Sequence, residues 1–221
     1  MCGRYTVFRE VQEIRARWNV LIDEFLYKRT YNAAPSRLLP VISTADPAVI
    51  SFYRWGLIPS WAKDMSLGAR MINARAETLM EKPSFRTLIK SRRCLVLTNG
   101  FYEWKDTVHG KQPYFITLRD TGFFTFAGLW DRWKQNGEDI FSFTIITVAA
   151  NEQMQDIQHR MPVILPAEAE LKWLDPSLPP EVAMSLLKPY SAGEMTVYPV
   201  SKAVNNAATD DVVLISAISL P

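Results

Sequence analysis

The sequence predicts an α+β fold: one compact domain built around an antiparallel sheet or barrel, with short helices at its periphery. Segments rich in aromatic and β-branched residues crowd the stretch between residues 94 and 148. The helical patterns are short and scattered, and they do not alternate with strands as in a parallel βαβ protein. The 221 residues contain no internal repeat and no Gly/Ser-rich linker, so a single domain spanning residues 1–221 is expected.

Hydrophobic periodicity places the helices. Apolar residues recur at helical spacing in segment 8–20 (FREVQEIRARWNV) and again after Pro83, which predicts a helix in each place. Asn151 is a preferred N-cap residue and predicts a short helix that reaches Ile157. Segments 166–174 and 180–187 predict two more helices.

The strands are predicted where apolar residues concentrate or alternate with polar ones. These segments are 38–43, 49–55, 94–98, 101–105, 113–118, 123–129, 141–148 and 195–200. The polar segment 105–113 (KDTVHGKQP) predicts a hairpin loop between two of them.

Composition excludes several classes of protein. The net charge is only +2, so a nucleic-acid site must be a local patch and not a property of the whole surface. The two cysteines are far apart and form no CxxC motif, which argues against a disulfide framework and a structural zinc site. No cofactor or metal is expected. No apolar stretch reaches the length of a membrane span or of a signal peptide, so the expected location is the cytoplasm, without membrane contact.

Cys2 acquires a distinctive chemistry once Met1 has been removed. Cells usually remove an initiator Met that precedes a small residue, and Cys is small enough. The exposed α-amine has a pKa of about 7.7–8.0, so roughly a tenth of it is unprotonated at neutral pH and can form a Schiff base with an aldehyde. The adjacent thiol can then close onto the imine carbon to give a thiazolidine ring.

Two conditions attach to this chemistry. With Met1 in place the nitrogen of Cys2 is an amide and cannot react, so the functional form is expected to lack Met1. Arg4 is expected to lower the pKa of the thiol and to be able to hold a phosphate. A cysteine after Met1 also occurs by chance, and the other motifs must decide between chemistry and accident.

Two polar segments are candidates for binding. Segment 31–36 (YNAAPS) predicts a loop in which Asn32 tolerates an unusual backbone or orients a carbonyl group; an ordinary Asx turn is the alternative. Segment 72–77 (INARAE), if extended, places Asn73, Arg75 and Glu77 on one face. Such a face could bind phosphate, or it could be a solvated face with an internal ion pair.

Two titratable residues could transfer protons. Glu103 lies between aromatic residues in segment 101–104 (FYEW), and a carboxylate in apolar company tends to have a raised pKa. An exposed strand with one charged position is the alternative. His159, in segment 158–162 (QHRMP), could be a proton shuttle or simply an exposed histidine. Trp61 and Met80 lie near basic residues and could stack on the bases of single-stranded nucleic acid, although core packing is the commoner use of Trp.

Together these segments resemble the SOS-response-associated peptidase family, whose members are also called abasic-site processing proteins. The similar segments run in order from residue 1 to about 206: MCGRY, YNAAPS, WGLIPSWAKD, INARAETLMEKPSFR, NGFYEW, DIQHRMPVIL and YPVSKAVN. The resemblance implies a compact α+β domain with a barrel-like core, a positively charged cleft, and covalent capture of abasic sites in single-stranded DNA through the N-terminal Cys. It implies no cofactor and a monomer that associates with the nucleoid when bound to DNA.

The resemblance also implies roles for individual residues. The catalytic group would be Cys2 as nucleophile, Asn32 at the reacting sugar, Glu103 as the acid that opens the sugar ring, and His159. The DNA-binding group would be Arg4, Pro35, Trp61, Asn73, Arg75 and Met80.

This sequence departs from the family pattern at two positions. In relatives the catalytic His directly follows Ile, but here Gln158 follows Ile157 and the histidine comes one residue later. We expect capture to survive and its reversal, which the family His assists, to be slower. Ala62 stands where relatives often carry a second aromatic residue, so stacking there is expected to be weaker.

Other functions remain open on the sequence alone. A Schiff base at C1′ permits β-elimination, so lyase activity could accompany capture. A cysteine peptidase or self-processing hydrolase could use the same Cys2, and a noncovalent single-strand-binding module would not need it.

Overall fold

The computed structural model describes residues 2–120, 122–135 and 137–220, and these are mainly β-structure. The strands are β1 Tyr5–Val7, β2 Thr30–Ala33, β3 Leu38–Ser43, β4 Asp46–Trp55, β5 Asn73–Arg75, β6 Arg93–Thr98, β7 Gly100–Thr107, β8 Gly110–Leu118, β9 Phe124–Gln135, β10 Glu138–Ala149, β11 Arg160–Pro162, β12 Ile164–Leu165 and β13 Met195–Pro199. The α-helices are α1 Val11–Trp18, α2 Leu88–Ser91, α3 Glu152–Gln155, α4 Ala167–Leu174 and α5 Pro180–Ser185. Short 3₁₀ helices span Met65–Arg70, Ala76–Thr78, Ala192–Glu194, Lys202–Asn205 and Val212–Ile215.

Five strands close into a barrel. β10, β4, β3, β6 and β9 pair in that order, and β9 pairs again with β10 to complete the ring. Every pairing in the ring is antiparallel except the short parallel contact of β4 with β10. β5 and β11 attach to β10, and β12 attaches to β9.

A second antiparallel sheet carries the strands that later form the site. Its order is β13–β8–β7–β1–β2, so β1 lies between β2 and β7. The chain leading from Cys2 into β1 therefore runs beside the segments that contain Asn32 and Glu103. Motifs about 30 and 100 residues apart in the sequence meet because of this strand order.

The apolar faces of both sheets share one core. Fully buried aromatic side chains from both sheets meet in it: the ring of Tyr5 lies 5.0 Å from that of Trp55 and 6.0 Å from that of Phe126. The core extends from Cys2 to Met195 along the chain, and α4 covers it with the buried Trp173. The α+β class with an antiparallel, barrel-like core is confirmed.

Most predicted elements are present, and several differ in extent. The hairpin loop predicted at residues 105–113 is wrong in extent, because β7 and β8 pair as far as Thr107 and Gly110 and leave only Val108 and His109 between them. The segment after Pro83 forms turns and becomes α-helical only at Leu88, so the helix is shorter than predicted. The loop predicted at residues 31–36 is wrong for Asn32, which lies inside β2 because its neighbours pair with β1. The N-cap prediction is confirmed: the Met154 amide donates to Asn151 Oδ1 at 3.0 Å. Within the described ranges, no helix is both long and apolar enough to cross a membrane.

Candidate functional site

Cys2 is held at the start of β1 and is completely buried. The amide Nδ2 of Asn73 donates to the carbonyl oxygen of Cys2 at 2.7 Å, and the Cys2 thiol lies 3.9 Å from the carbonyl oxygen of Arg4. Burial raises the pKa of the Cys2 thiol, and the negative charge of Glu103 raises it further. Arg4 lowers this pKa only weakly, through the contact of its backbone carbonyl with the thiol, while its guanidinium points to other partners.

The Arg4 guanidinium binds Asn32 and the C-terminal segment. Arg4 Nη1 donates to Asn32 Oδ1 at 2.6 Å and to the carbonyl oxygen of Val204 at 3.0 Å. Asn32 is fully buried, and its Nδ2 donates to the carbonyl oxygens of Asn206 and Thr209 at 3.0 and 2.6 Å. Both ends of the Asn32 side chain are therefore engaged, which makes it a link between Arg4 and residues 204–209.

Glu103 is the most strongly perturbed carboxyl group at the site. It lies on β7 and is 1% exposed. Burial raises the pKa of Glu103 to about 7, and a hydrogen bond from the Gln158 side chain partly opposes that rise. The sequence-based expectation of a raised pKa is confirmed, and the exposed-strand alternative is wrong. At neutral pH such a group is present in both its acid and its base form.

A small pocket opens beside this carboxyl group. Its volume is about 320 Å³, and it is lined by Glu103, Trp104, Lys111, Gln158 and Asn205. The indole Nε1 of Trp104 donates to Asn205 Oδ1 at 2.8 Å, which fixes one wall.

Gln158, and not His159, faces the pocket. His159 is exposed, and its backbone amide donates to Gln158 Oε1 at 3.1 Å. The geometry thus keeps the histidine side chain outward, as its one-residue displacement in the sequence suggested. Its predicted catalytic role stays a prediction.

An ion pair links segment 158–162 to segment 72–77. Arg160 of β11 donates to both carboxylate oxygens of Glu77 at 2.6 and 2.9 Å, and it also donates to the carbonyl oxygen of Thr147 in β10. The pair lowers the pKa of Glu77. Glu77 lies in a 3₁₀ turn after β5, so strict strand alternation across segment 72–77 ends at Arg75, which is exposed. Asn73 is drawn inward to Cys2 in the same segment.

The predicted stacking residues lie at the surface. Trp61 is 59% exposed, Met80 is 40% exposed, and Pro35 is partly buried. The loop that carries Trp61 is fixed from below: the Ser60 amide donates to the buried carboxylate of Asp131 at 2.8 Å, and the indole of Trp133 donates to the Ala62 carbonyl at 2.7 Å.

The structure brings Cys2, Arg4, Asn32, Asn73 and Glu103 into one connected cluster. Among the described residues, the contacts that connect this cluster do not include the other predicted site residues, Pro35, Trp61, Arg75, Met80 and His159. Further residues line or hold the site but were not predicted from the sequence: Trp104, Lys111, Gln158 as a wall of the pocket, Arg160 and Asn205. Trp104 lies in segment FYEW and Asn205 in segment YPVSKAVN, so the family resemblance of these two segments could have indicated both residues. Within the described residues, no cluster of His, Cys, Asp or Glu could hold a metal ion.

A family profile, named relatives and a solved structure are all similar to this chain over most of its length. A profile of the SOS response associated peptidase (SRAP) family matches residues 1–207. The chain is 45% identical over 225 residues to the abasic site processing protein YoqW of Bacillus subtilis (strain 168), covering 98% of this chain and 100% of YoqW. It is 35% identical to the abasic site processing protein HMCES of Gallus gallus, covering 86% of this chain and 66% of that one. A crystal structure of a Bacteroides thetaiotaomicron protein superposes with a TM-score of 0.90 at 31% identity, covering 99% of this chain and 100% of that one.

Proposed function

Because this chain belongs to the SOS response associated peptidase family, we propose that it processes abasic sites in DNA by capturing them covalently through Cys2. The substrate is the ring-opened abasic sugar in single-stranded DNA, whose C1′ is an aldehyde. One observation carries the proposal: a buried Cys2, its carbonyl held by Asn73, lies close enough to Glu103 for the carboxylate charge to raise the pKa of the thiol.

Once Met1 has been removed, capture proceeds in three steps: opening of the sugar ring, formation of an imine and closure of the thiazolidine ring. Glu103 in its acid form donates a proton to the ring oxygen of the sugar, the bond between that oxygen and C1′ breaks, and the C1′ hydroxyl group loses its proton to water, which leaves the open-chain aldehyde. The α-amine of Cys2 adds to C1′, and loss of one water molecule gives an imine. The Cys2 sulfur then bonds to the imine carbon while its proton passes to nitrogen, and the product is a thiazolidine.

The electrostatics of the site fit this order of events. Burial raises the pKa of the Cys2 thiol, so the thiol is protonated at neutral pH and the amine reacts first. The Glu103 carboxylate can then accept the thiol proton as the sulfur attacks. Gln158 cannot titrate, and Glu103 is the carboxyl group among the residues that line this pocket, so we assign it as acid and base.

The DNA-contacting roles implied by the family are also proposals. Arg75, Trp61 and Met80 present exposed cationic or flat surfaces suited to phosphate and bases. Arg4 already has Asn32 and Val204 as partners, so we assign it mainly to ordering the cleft, with one face left for a phosphate.

Intact mass spectrometry tests the proposal. The protein is measured before and after incubation with a single-stranded oligonucleotide that contains one abasic site. We expect loss of Met1 and then a heat-stable adduct of one protein with one oligonucleotide. Cys2→Ala keeps the amine, so it should give an adduct only after borohydride reduction of the imine, with more strand cleavage by β-elimination.

The alternatives predict other outcomes. A noncovalent binding module would retain the oligonucleotide natively and lose it on denaturation in every variant. A peptidase would show Cys2-dependent cleavage of a polypeptide and no adduct. A wild-type protein that lacks Met1 and never gains the oligonucleotide mass would refute covalent capture.

A further inference from the structure

The hairpin formed by β7 and β8 projects beside the proposed site. The two strands pair continuously from Phe101 opposite Ile116 to Thr107 opposite Gly110, and the turn between them is fully exposed, with Val108 at 95%. Glu103 lies on the inner part of this hairpin, and Lys111 lies on its outer part. A strand of DNA that reaches Glu103 from the side of the hairpin turn would therefore pass the outer part of the hairpin.

Two lysines give this hairpin a cationic side. Lys111 lines the pocket that contains Glu103. Lys202 begins the C-terminal 3₁₀ helix, and its ammonium group donates to the carbonyl oxygen of His109 at 3.3 Å. This contact places a second cation at the hairpin turn.

The carboxylate beside Lys111 is exposed, so a DNA phosphate can displace it as the partner of the ammonium group. Asp106 lies opposite Lys111, with 3.7 Å between Oδ1 and Nζ, but the two side chains are 85% and 67% exposed. Exposed pairs of this kind are worth at most about 1 kcal/mol and are screened by salt. Three other cations near the site are engaged internally, because Arg4 binds Asn32, Arg37 binds Asp210 and Arg160 binds Glu77.

We propose that Lys111 and Lys202 form a phosphate-binding track, the hairpin track, for the single-stranded DNA on one side of the abasic site. The proposal rests on the proposed function for the identity of the substrate, but it concerns equilibrium binding and not the covalent step. Ammonium groups on flexible stems suit successive phosphates of a mobile strand, which they bind as point charges without reading sequence.

Salt dependence of binding tests the hairpin track. Each phosphate contact on single-stranded DNA contributes about 0.7 to the slope of log affinity against log salt. The probe is a fluorescent oligonucleotide with a tetrahydrofuran in place of the abasic sugar, which has no aldehyde and cannot be captured. We expect Lys111→Gln and Lys202→Gln each to reduce the slope by about 0.7, and the double variant by about 1.4.

The matched controls are Lys172→Gln and Lys188→Gln, which remove the same charge beside a different cavity bounded by α4 and α5. These should leave the slope unchanged. Shortening the oligonucleotide on one side of the tetrahydrofuran should abolish the difference between wild type and the hairpin variants, and shortening the other side should preserve it.

The outcomes separate this proposal from the proposed function. Hairpin variants that behave like the controls, or a difference that survives shortening on both sides, would overturn the hairpin track even if the wild type captures abasic sites. A wild type that binds the probe with the expected slopes but gains no adduct from a true abasic site would refute capture and leave the track intact.

Discussion

Replacing Glu103 with Gln should stabilise the fold while it slows capture, and the stabilisation should depend on pH. The carboxyl group is 1% exposed, and burial raises its pKa to about 7. Gln has nearly the same shape and no charge, so Glu103→Gln removes the cost of burying an ionised carboxylate and keeps the space filled.

Linkage between protonation and folding sets the magnitude. A carboxyl group whose pKa is higher in the folded than in the unfolded protein binds its proton more tightly when folded, so the free energy of unfolding falls as the pH rises. For Glu103 the fall begins near 4.5, the ordinary value, and is complete above about 7. That interval corresponds to about 3 kcal/mol. The variant has no such carboxyl group, so it should exceed the wild type by about 3 kcal/mol at pH 8 and by little near pH 4.5.

Urea unfolding of both proteins at several pH values measures this difference. Glu168→Gln is the control, because that side chain is exposed and its removal should give no pH-dependent gain. Capture rates measured on the same preparations should fall strongly in Glu103→Gln alone. A variant that gains equally at pH 4.5 and pH 8, or that is less stable than wild type at pH 8, would refute the reasoning.

Three further substitutions test other parts of the site. Asn32→Ala should lower stability by about 2–4 kcal/mol, since Arg4 loses one of its two partners and the buried carbonyl groups of Asn206 and Thr209 lose their donor, and thermal unfolding measures this. Gln158→His restores a titratable group beside the proposed acid, so release of captured DNA should accelerate; an unchanged release rate would contradict the assigned role of this position. Asp131→Ala should raise the DNA concentration needed for half-maximal capture without changing the maximal rate, because the Trp61 loop loses its anchor. In a Trp61→Ala background the same change should have no effect on that concentration.

The longer strands β3, β4, β6–β10 and β13 and the raised pKa of Glu103 were predictable because both depend on local pattern, whereas the short strands β1, β2, β5, β11 and β12 were not predicted. Alternating apolar residues specify a strand with one buried face, and the aromatic neighbours of Glu103 already indicated an apolar environment. The position of Asn32 was not predictable, since the carbonyl groups that its Nδ2 binds lie more than 170 residues away and its own segment carries turn-forming residues. Tertiary pairing with β1 overrides that local preference.

The partners of the Arg4 side chain could not be predicted from the sequence either. Proximity in sequence predicted an effect on Cys2, but a side chain of that length can reach several partners, and only the folded C-terminal segment supplies the Val204 carbonyl that holds it. The parallel contact that closes the barrel between β4 and β10 is equally non-local, and no pattern in either strand announces it.

The burial of Cys2 and Glu103 bears on why this site would hold two groups with raised pKa values side by side. A thiolate would be the stronger nucleophile, but it would also be open to oxidation and to reaction before any aldehyde arrives. A thiol kept protonated by burial reacts only when an imine stands next to it and a base can take its proton. Glu103, with a pKa of about 7, can give a proton to the sugar in the first step and, as a carboxylate, relay the thiol proton to the nitrogen in the last. On this argument the reaction is ordered by the substrate, because the aldehyde captured by the amine creates the only partner with which the thiol can react.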